Sequence, residues 1–75
     1  MKRTLIIADD HLLFLKGMEE LFSKNEQFEV LNVVSDGNLV VESVAELKPE
    51  LLILDLNFKT IDGFTIFKEI KKLRN

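Results

Sequence analysis

The sequence contains no cysteine, tryptophan or tyrosine, and only one proline and three glycines among 75 residues. Without cysteine the chain can form no disulfide and no thiolate metal site, and it has no cysteine nucleophile. We therefore expect a reducing, cytoplasmic setting. An excess of positive charge is also missing, since 13 acidic and 10 basic residues give a formal net charge of -3. The chain itself is therefore not expected to bind nucleic acid.

Long hydrophobic runs are absent as well. Apolar stretches such as residues 12–15 and 51–54 are far shorter than the roughly 20 residues that a membrane-spanning helix needs. The first apolar run ends at Asp9, without the cleavage site of a signal peptide, so we expect neither a membrane span nor a leader. A content of 47% hydrophobic and 31% charged residues is typical of a globular chain, and this length allows one domain at most.

Hydrophobic periodicity predicts three strands that alternate with three helices. Apolar or β-branched runs predict strands at residues 4–8, 28–35 and 51–54. Apolar residues spaced by three and four predict amphipathic helices at about residues 11–24, 39–48 and 64–74. The order βαβαβα with short connections calls for an α/β fold, with parallel strands and helices on both faces of the sheet.

Local signals mark the ends of the second and third helices. The turn residues 36–38 precede the second helix, and Pro49 ends it. Asp62-Gly63 is expected to cap the last helix or to form a turn with positive φ at the glycine. Basic residues that complement the helix dipole close the last helix, namely Lys71, Lys72 and Arg74.

Carboxylates follow the first and third predicted strands where each strand ends. Asp9 and Asp10 come directly after residues 4–8, and Asp55 directly after residues 51–54. Ligand sites of parallel sheets lie at the carboxyl ends of the strands, so neighbouring first and third strands would bring three carboxylates to one edge. Carboxylates this close repel one another unless a cation offsets their charge. The pattern therefore indicates a cation site.

Mg2+ is the ion that best suits this arrangement, because it binds through one or two carboxylates, retains several waters and takes a phosphate oxygen as a further ligand. Asp55 could then attack phosphorus, since carboxylates form acyl phosphates. The pattern indicates phosphoryl acceptance. The competing interpretation is structural, because aspartates at strand ends commonly cap helices or stabilise turns.

Three pairs of residues carry a family resemblance: Asp9-Asp10 after the first strand, Asp55-Leu56 after the third, and Asp62-Gly63 seven positions later. The whole chain resembles the receiver domain of two-component response regulators, which has a flavodoxin-like α/β fold. The resemblance implies a parallel sheet with helices on both faces, of which this sequence supplies the first three βα units.

The opening of the sequence narrows this resemblance. Asp9-Asp10-His11 followed by Phe14, Lys16 and Gly17 is similar to the start of regulators of the NarL/LuxR type, whose output half is a helix-turn-helix DNA-binding domain. The resemblance implies phosphorelay signalling that regulates transcription through an output domain outside this chain.

The resemblance also assigns roles to single residues. Asp55 is implied as the phosphoacceptor, and Asp10, Asp55 and the backbone carbonyl of Asn57 as Mg2+ ligands. Asp9 would act through a bridging water or by supporting the ligands. The implied donor is the phosphohistidine of a histidine kinase or a small acyl phosphate. The chain would thus be a signalling domain and not an enzyme beyond its own phosphorylation and dephosphorylation.

The sequence departs from the family pattern in two places. Receiver domains usually carry proline four positions after the acceptor, where this chain has Lys59, so we expect a more mobile or differently shaped loop. They also continue through two further strands that bear a Ser/Thr switch and a lysine. Residues 1–75 are therefore expected to be the N-terminal part of a single receiver domain. Lys59, Lys68 and Lys71 are expected on a solvated face rather than in place of that lysine.

Two further features are expected to be structural. His11 has no second histidine to pair with, so we expect a surface helix residue rather than a metal ligand or proton shuttle. Four aromatic residues at helical core spacing are expected to pack in the core: Phe14, Phe22, Phe64 and Phe67.

Other functions fit the sequence less well. A haloacid-dehalogenase-like phosphatase needs a second aspartate where this chain has Asn57, and nucleotide-binding folds need glycine-rich phosphate loops that the isolated glycines do not form. The remaining alternative is an incomplete receiver that no longer signals and acts as a protein-interaction module. Because the third strand would have an unpaired edge, that alternative predicts a homo-oligomer through this edge or through the last helix.

Overall fold

The computed structural model describes residues 2–73, which form three strands and three α-helices in the predicted order. The strands are β1 (Arg3–Ala8), β2 (Phe28–Val34) and β3 (Leu51–Leu54). The helices are α1 (Leu12–Ser23), α2 (Val40–Leu47) and α3 (Gly63–Leu73), with a short 3-10 helix at Gly37–Leu39 before α2. Arg74, predicted to help close the last helix, lies outside the described residues.

The strands form one parallel sheet in the order β2-β1-β3. Residues 5–8 of the central strand β1 pair with residues 51–54 of β3. On its other side β1 pairs with β2, with a register shift between Leu5 and Ile6. This order is the first part of the flavodoxin-like order, and it makes the carboxyl ends of β1 and β3 neighbours.

Both faces of β1 are covered over residues 5–8, which explains why these four residues are all apolar. Leu5 and Ile7 pack with Leu15 of α1 on one face. Ile6 and Ala8 pack on the other face against α2, α3 and the β3–α3 loop. Fully burying a side chain such as Leu or Ile stabilises the fold by roughly 1.5–3 kcal/mol. The predicted α/β fold with helices on both faces is therefore confirmed.

Short-range interactions set the ends of α2. The Asp36 carboxylate accepts a hydrogen bond from the Asn38 N–H at 2.9 Å, which stabilises the predicted turn. At the other end Lys48 adopts a left-handed conformation with φ of 49°. Pro49 follows at once and disfavours the right-handed helical conformation at the residue before it.

The helical phenylalanines are less buried than their spacing predicts. Phe22 packs edge-on against Phe28, with ring centroids 5.2 Å apart. Phe14, Phe64 and Phe67 are 50%, 57% and 51% exposed, so the core prediction was wrong for these three residues. The cause is the width of the sheet: three strands span only about 10 Å, and part of each apolar helix face extends beyond them.

The outer side of β3 has no strand partner within residues 2–73. Beside it a groove of about 420 Å³ runs between α2, β3 and α3 and is lined by apolar side chains that include Val44, Leu52, Ile70 and Leu73. The longest described helix has 12 residues, and none in the described part is long and apolar enough to cross a membrane.

Candidate functional site

Three carboxylates converge at the carboxyl edge of the sheet. Asp9 and Asp10 follow β1, and Asp55 follows β3. Backbone hydrogen bonds extend the sheet to these residues, because the Asp9 N–H donates to the Val34 carbonyl at 3.0 Å and the Asp55 N–H to the Ala8 carbonyl at 2.9 Å. The three aspartate side chains are only 13%, 15% and 14% exposed. The strand order thus brings together the carboxylates that the sequence analysis singled out.

One oxygen of each carboxylate is held by a backbone N–H. Asp9 Oδ1 accepts from the His11 N–H at 2.8 Å. Asp55 Oδ1 accepts from the Asn57 N–H at 3.0 Å. Asp10 Oδ2 accepts from the Lys59 N–H at 2.9 Å. These bonds orient the carboxylates, and they place Asn57 next to Asp55, the candidate phosphoacceptor.

The remaining oxygens of two carboxylates have no such partner. Asp10 Oδ1 and Asp55 Oδ2 are buried and accept no hydrogen bond from any group within residues 2–73. A buried acceptor without a partner costs roughly 1–3 kcal/mol, and a hard divalent cation with oxygen ligands would remove that cost. The residues present therefore fit a bound cation, with Asp10 and Asp55 as its side-chain ligands and Asp9 beside them.

His11 also belongs to this cluster, although the sequence analysis expected only a surface helix residue at this position. Its Nδ1 lies 2.8 Å from Asp9 Oδ1, 3.3 Å from Asp10 Oδ1 and 3.9 Å from Asp55 Oδ2. One atom from each of these four residues lies within 4.8 Å of the others. The side chain is 66% exposed, so His11 is a surface residue as expected, but its ring edge faces the carboxylates. Its position directly after Asp10 was the only sequence signal.

The carboxylates raise the pKa of His11 above its ordinary value. The hydrogen bond to Asp9 is the largest cause, followed by the negative charges of Asp9 and Asp10 and, more weakly, of Asp55. Slight desolvation acts in the opposite direction. The imidazole therefore holds its proton more strongly than a free histidine does.

The loop between β3 and α3 is closely packed against the site. Phe58 is 7% exposed, and the Lys59 N–H contacts Asp10 as described above. A Cβ atom at Gly63 would lie 2.3 Å from Leu56 Cα, so glycine is needed here for a close approach. The alternative of a positive φ at Gly63 was wrong. The Asp62 carbonyl accepts hydrogen bonds from the first turn of α3, at 3.0 and 3.2 Å, as expected for a helix start.

The lysine side chains take no part in the cluster. Lys71 Nζ lies 5.6 Å from the centre of the Phe67 ring, and Lys72 pairs with Glu69 at 3.0 Å. Lys59 and Lys68 are exposed. The prediction that these lysines lie on a solvated face is confirmed for Lys59, Lys68 and Lys71.

Comparison with known proteins identifies the family. The family model described as "response regulator receiver domain" matches residues 5–75. The chain belongs to this family. The transcriptional regulatory protein YdfI of Bacillus subtilis is 29% identical over 91% of this chain and 32% of its own length. A protein-glutamate methylesterase/protein-glutamine glutaminase of Caldanaerobacter subterraneus is 29% identical over 96% of this chain, but over only 20% of its own length.

Solved structures of response regulators have the same fold as this chain. The receiver domain of the response regulator AraT from Geobacillus stearothermophilus has a TM-score of 0.86 at 31% identity and covers 100% of this chain and 60% of its own. RcsB from Salmonella enterica, bound to promoter rprA in the presence of a phosphomimetic, has a TM-score of 0.82 at 31% identity over 96% of this chain and 37% of its own. The chain thus spans less than two thirds of each of these proteins.

The narrower resemblance is confirmed too, because relatives and structural neighbours include regulators of the NarL/LuxR type. The chain is similar to both transcriptional regulators and methylesterases, and the region that both classes share with this chain is the receiver domain.

Proposed function

We propose that this chain accepts a phosphoryl group on Asp55 and thereby acts as the input module of a phosphorelay. The observation that carries the proposal is the pair of buried oxygens, Asp10 Oδ1 and Asp55 Oδ2, that lack hydrogen-bond partners at the ends of two neighbouring strands. Membership of the receiver family supports the same assignment.

The reaction is an in-line displacement at phosphorus. A carboxylate oxygen of Asp55 attacks the phosphorus of a histidine kinase phosphohistidine or of a small acyl phosphate. A P–O bond to Asp55 forms while the bond between phosphorus and the donor nitrogen or oxygen breaks. The electron pair of the broken bond leaves with the donor. A departing imidazole then takes a proton from water. The product is an acyl phosphate. The Asn57 N–H holds Asp55 Oδ1 and so orients the carboxylate for this attack.

Mg2+ is the cofactor that this donor set favours, and it would neutralise charge on the phosphoryl oxygens. Asp10, Asp55 and the backbone carbonyl of Asn57 are the proposed ligands. Asp9 is proposed to act through a bridging water or by supporting the ligands. The Lys59 N–H fixes Asp10 with its free oxygen toward Asp55, which prepares the ligand pair before an ion arrives.

We further propose that residues 1–75 are the N-terminal part of a single receiver domain, that its partner is a histidine kinase in the cytoplasm, and that its phosphorylation regulates transcription through an output domain outside this chain. The support is the similarity to YdfI and to RcsB, whose structure was solved on promoter DNA with a phosphomimetic. The acyl phosphate would carry about two negative charges in place of the single charge of the Asp55 carboxylate, and would thereby bias the surrounding surface.

Intact-mass measurement after incubation with acetyl phosphate and Mg2+ tests the proposal. The chain should gain the mass of one phosphoryl group. Asp55→Asn should gain none, whereas Asp62→Asn, a matched control at an exposed aspartate of the same loop, should be labelled like the wild type. An unlabelled wild type under conditions that label a complete receiver, or a labelled Asp55→Asn, would contradict the assignment.

A second function is favoured by the unpaired side of β3 and the apolar groove beside it. Such an edge can recruit another chain through backbone hydrogen bonds. The chain would then act as an interaction module that forms a homo-oligomer, with either β3 or α3 as the contact surface. Light scattering at rising protein concentration tests this idea. A monodisperse monomer at high concentration that unfolds cooperatively would count against it.

A further inference from the structure

We propose that His11 is an additional ligand at the cation site and that its imidazole shifts the preference of the site from Mg2+ toward ions such as Zn2+ and Co2+. The proposal rests on the cation site of the proposed function and adds a residue that determines which ion this site selects. It follows from where the ring nitrogen lies relative to the two carboxylate oxygens that lack partners.

The distances match those between ligand atoms that share one ion. His11 Nδ1 lies 3.3 Å from Asp10 Oδ1 and 3.9 Å from Asp55 Oδ2, the two oxygens that are buried without a hydrogen bond. Ligand atoms about 2.1 Å from a common ion are separated by about 3.0 Å in an octahedron and about 3.4 Å in a tetrahedron, and by about 4.2 Å across an octahedron. The ring nitrogen therefore lies at a distance from each of these two oxygens that suits ligands of one ion.

The backbone fixes His11 at this position, and the 2.8 Å hydrogen bond between Nδ1 and Asp9 Oδ1 turns its ring toward the carboxylates. An ion that binds Nδ1 would replace the proton of this hydrogen bond, which passes to water. The His11 N–H donates to Asp9 Oδ1, and the His11 carbonyl accepts from the Leu15 N–H at 2.9 Å, which starts α1. Although His11 is the N-cap residue, its side chain makes no capping hydrogen bond. The ring is largely exposed, so it can adjust by small rotations to an ion without disturbing the core.

The chemistry of imidazole then determines the preference. Carboxylate oxygens suit Mg2+, whereas imidazole suits Zn2+ and later first-row ions, which also bind nitrogen and oxygen sites more tightly in general. Asp10 and Asp55 alone offer only carboxylate oxygens, the ligand type that suits Mg2+. The same site with His11 offers a mixed nitrogen and oxygen set, the kind of ligand set found in zinc sites that have three protein ligands from histidine and carboxylate.

The test compares the untagged wild-type chain with His11→Asn, measured by calorimetry with Mg2+ and with Zn2+ at about pH 8, above the ordinary imidazole pKa of about 6.5. Asparagine is a favoured N-cap, so the variant keeps the start of α1. Lys16→Asn is the matched control on an exposed position of the same helix. We expect the Zn2+ affinity of His11→Asn to fall at least about tenfold, with Mg2+ affinity nearly unchanged and both affinities unchanged in Lys16→Asn. Nitrogen NMR should show a shift of His11 Nδ1 on addition of Zn2+, and Asp10→Asn should abolish it.

The possible outcomes distinguish a failure of the His11 proposal from a failure of the proposed cation site. If wild type and His11→Asn bind Zn2+ equally, or if Nδ1 does not shift, His11 is no ligand, while Mg2+ binding that depends on Asp10 and Asp55 still supports the site. If Mg2+ and Zn2+ affinities fall together in His11→Asn, the residue has no role in ion preference. If the wild type binds neither ion, the cation site itself is wrong and the His11 proposal falls with it.

Discussion

The backbone N–H of Lys59 donates a hydrogen bond to Asp10 Oδ2 at 2.9 Å, which joins the β3–α3 loop to the end of β1. Proline, the residue that receivers usually carry at this position, has no N–H to donate. The sequence analysis expected a more mobile or differently shaped loop from this difference, and the hydrogen bond bears on its shape. The loop is tied to a proposed metal ligand, and its shape depends on an interaction that proline cannot make.

Two substitutions of Lys59 distinguish the contribution of its backbone N–H to stability from that of its side chain. Lys59→Pro removes the hydrogen bond and leaves Asp10 Oδ2 without a donor, so we expect the free energy of unfolding to fall by roughly 1–3 kcal/mol. Lys59→Ala keeps the N–H and loses only an exposed side chain, so its stability should stay within about 0.5 kcal/mol of the wild type. Urea unfolding in EDTA measures both. Equal stability of the two variants would show that the hydrogen bond is unimportant.

The pKa of His11 should lie above the ordinary value of about 6.5 when measured by NMR titration in EDTA. Asp9→Asn should lower it most, since Asp9 supplies the largest cause, whereas Glu20→Gln at a distant exposed position should leave it unchanged. A pKa of His11 at or below the ordinary value would contradict the contacts between this ring and the carboxylates.

This raised pKa makes the stability of the protein depend on pH. Because the folded-state pKa lies above the unfolded value of about 6.5, protonated His11 stabilises the fold fully below about pH 6.5 and loses this contribution as the pH rises through the folded-state pKa. The stability difference between wild type and His11→Asn should therefore be largest in mildly acidic solution and should diminish toward alkaline pH. Urea midpoints across this range in EDTA check the trend, and the reverse trend would be inconsistent with it.

Two glycines should respond in opposite directions to alanine. At Gly63 the added Cβ would meet the Leu56 backbone at 2.3 Å, so Gly63→Ala should destabilise the fold by roughly 1–3 kcal/mol through overpacking. Gly17 lies inside α1 with nothing within 4 Å of a Cβ, so Gly17→Ala should stabilise by roughly 0.5–1 kcal/mol through higher helix propensity. Thermal unfolding of both variants measures this contrast. A harmless Gly63→Ala would mean that the loop does not approach α3 this closely.

Neighbouring residues of α3 test how far the core extends. Ile66 is fully buried and Phe67 is 51% exposed. Ile66→Ala should cost about 2–5 kcal/mol, whereas Phe67→Ala should cost about 0.5 kcal/mol or less, although the side chain removed is larger. Chemical denaturation of both variants makes the comparison. A large loss from Phe67→Ala in a monomer would show that α3 packs differently.

Much of this architecture could be predicted from the sequence, because apolar runs and helical spacing indicate which side chains face the core. Residues 51–54 could be assigned to a strand from four successive apolar side chains, and the three carboxylates could be placed together because parallel strands end at one edge. Strand order mattered more than any single motif, since only neighbouring β1 and β3 bring Asp10 close to Asp55.

The parts that sequence reasoning missed depend on three-dimensional distances. The Lys59 N–H is a backbone group whose partner is 49 positions away, and nothing in the residue type signals it. The ring of His11 faces the carboxylates through the 2.8 Å contact of its Nδ1 with Asp9 Oδ1, which the residue type alone does not reveal. The exposure of Phe14 and Phe64 follows from the width of the sheet, which helical periodicity does not record.

Trapping the phosphorylated residue tests the central claim most directly. After incubation with acetyl phosphate and Mg2+, borohydride reduces an aspartyl phosphate to homoserine, which peptide mass spectrometry locates. We predict homoserine at position 55 and none at positions 9, 10 or 62. Homoserine at another aspartate, or none in a protein that carries a phosphoryl adduct, would contradict the assignment of Asp55 as the phosphoacceptor.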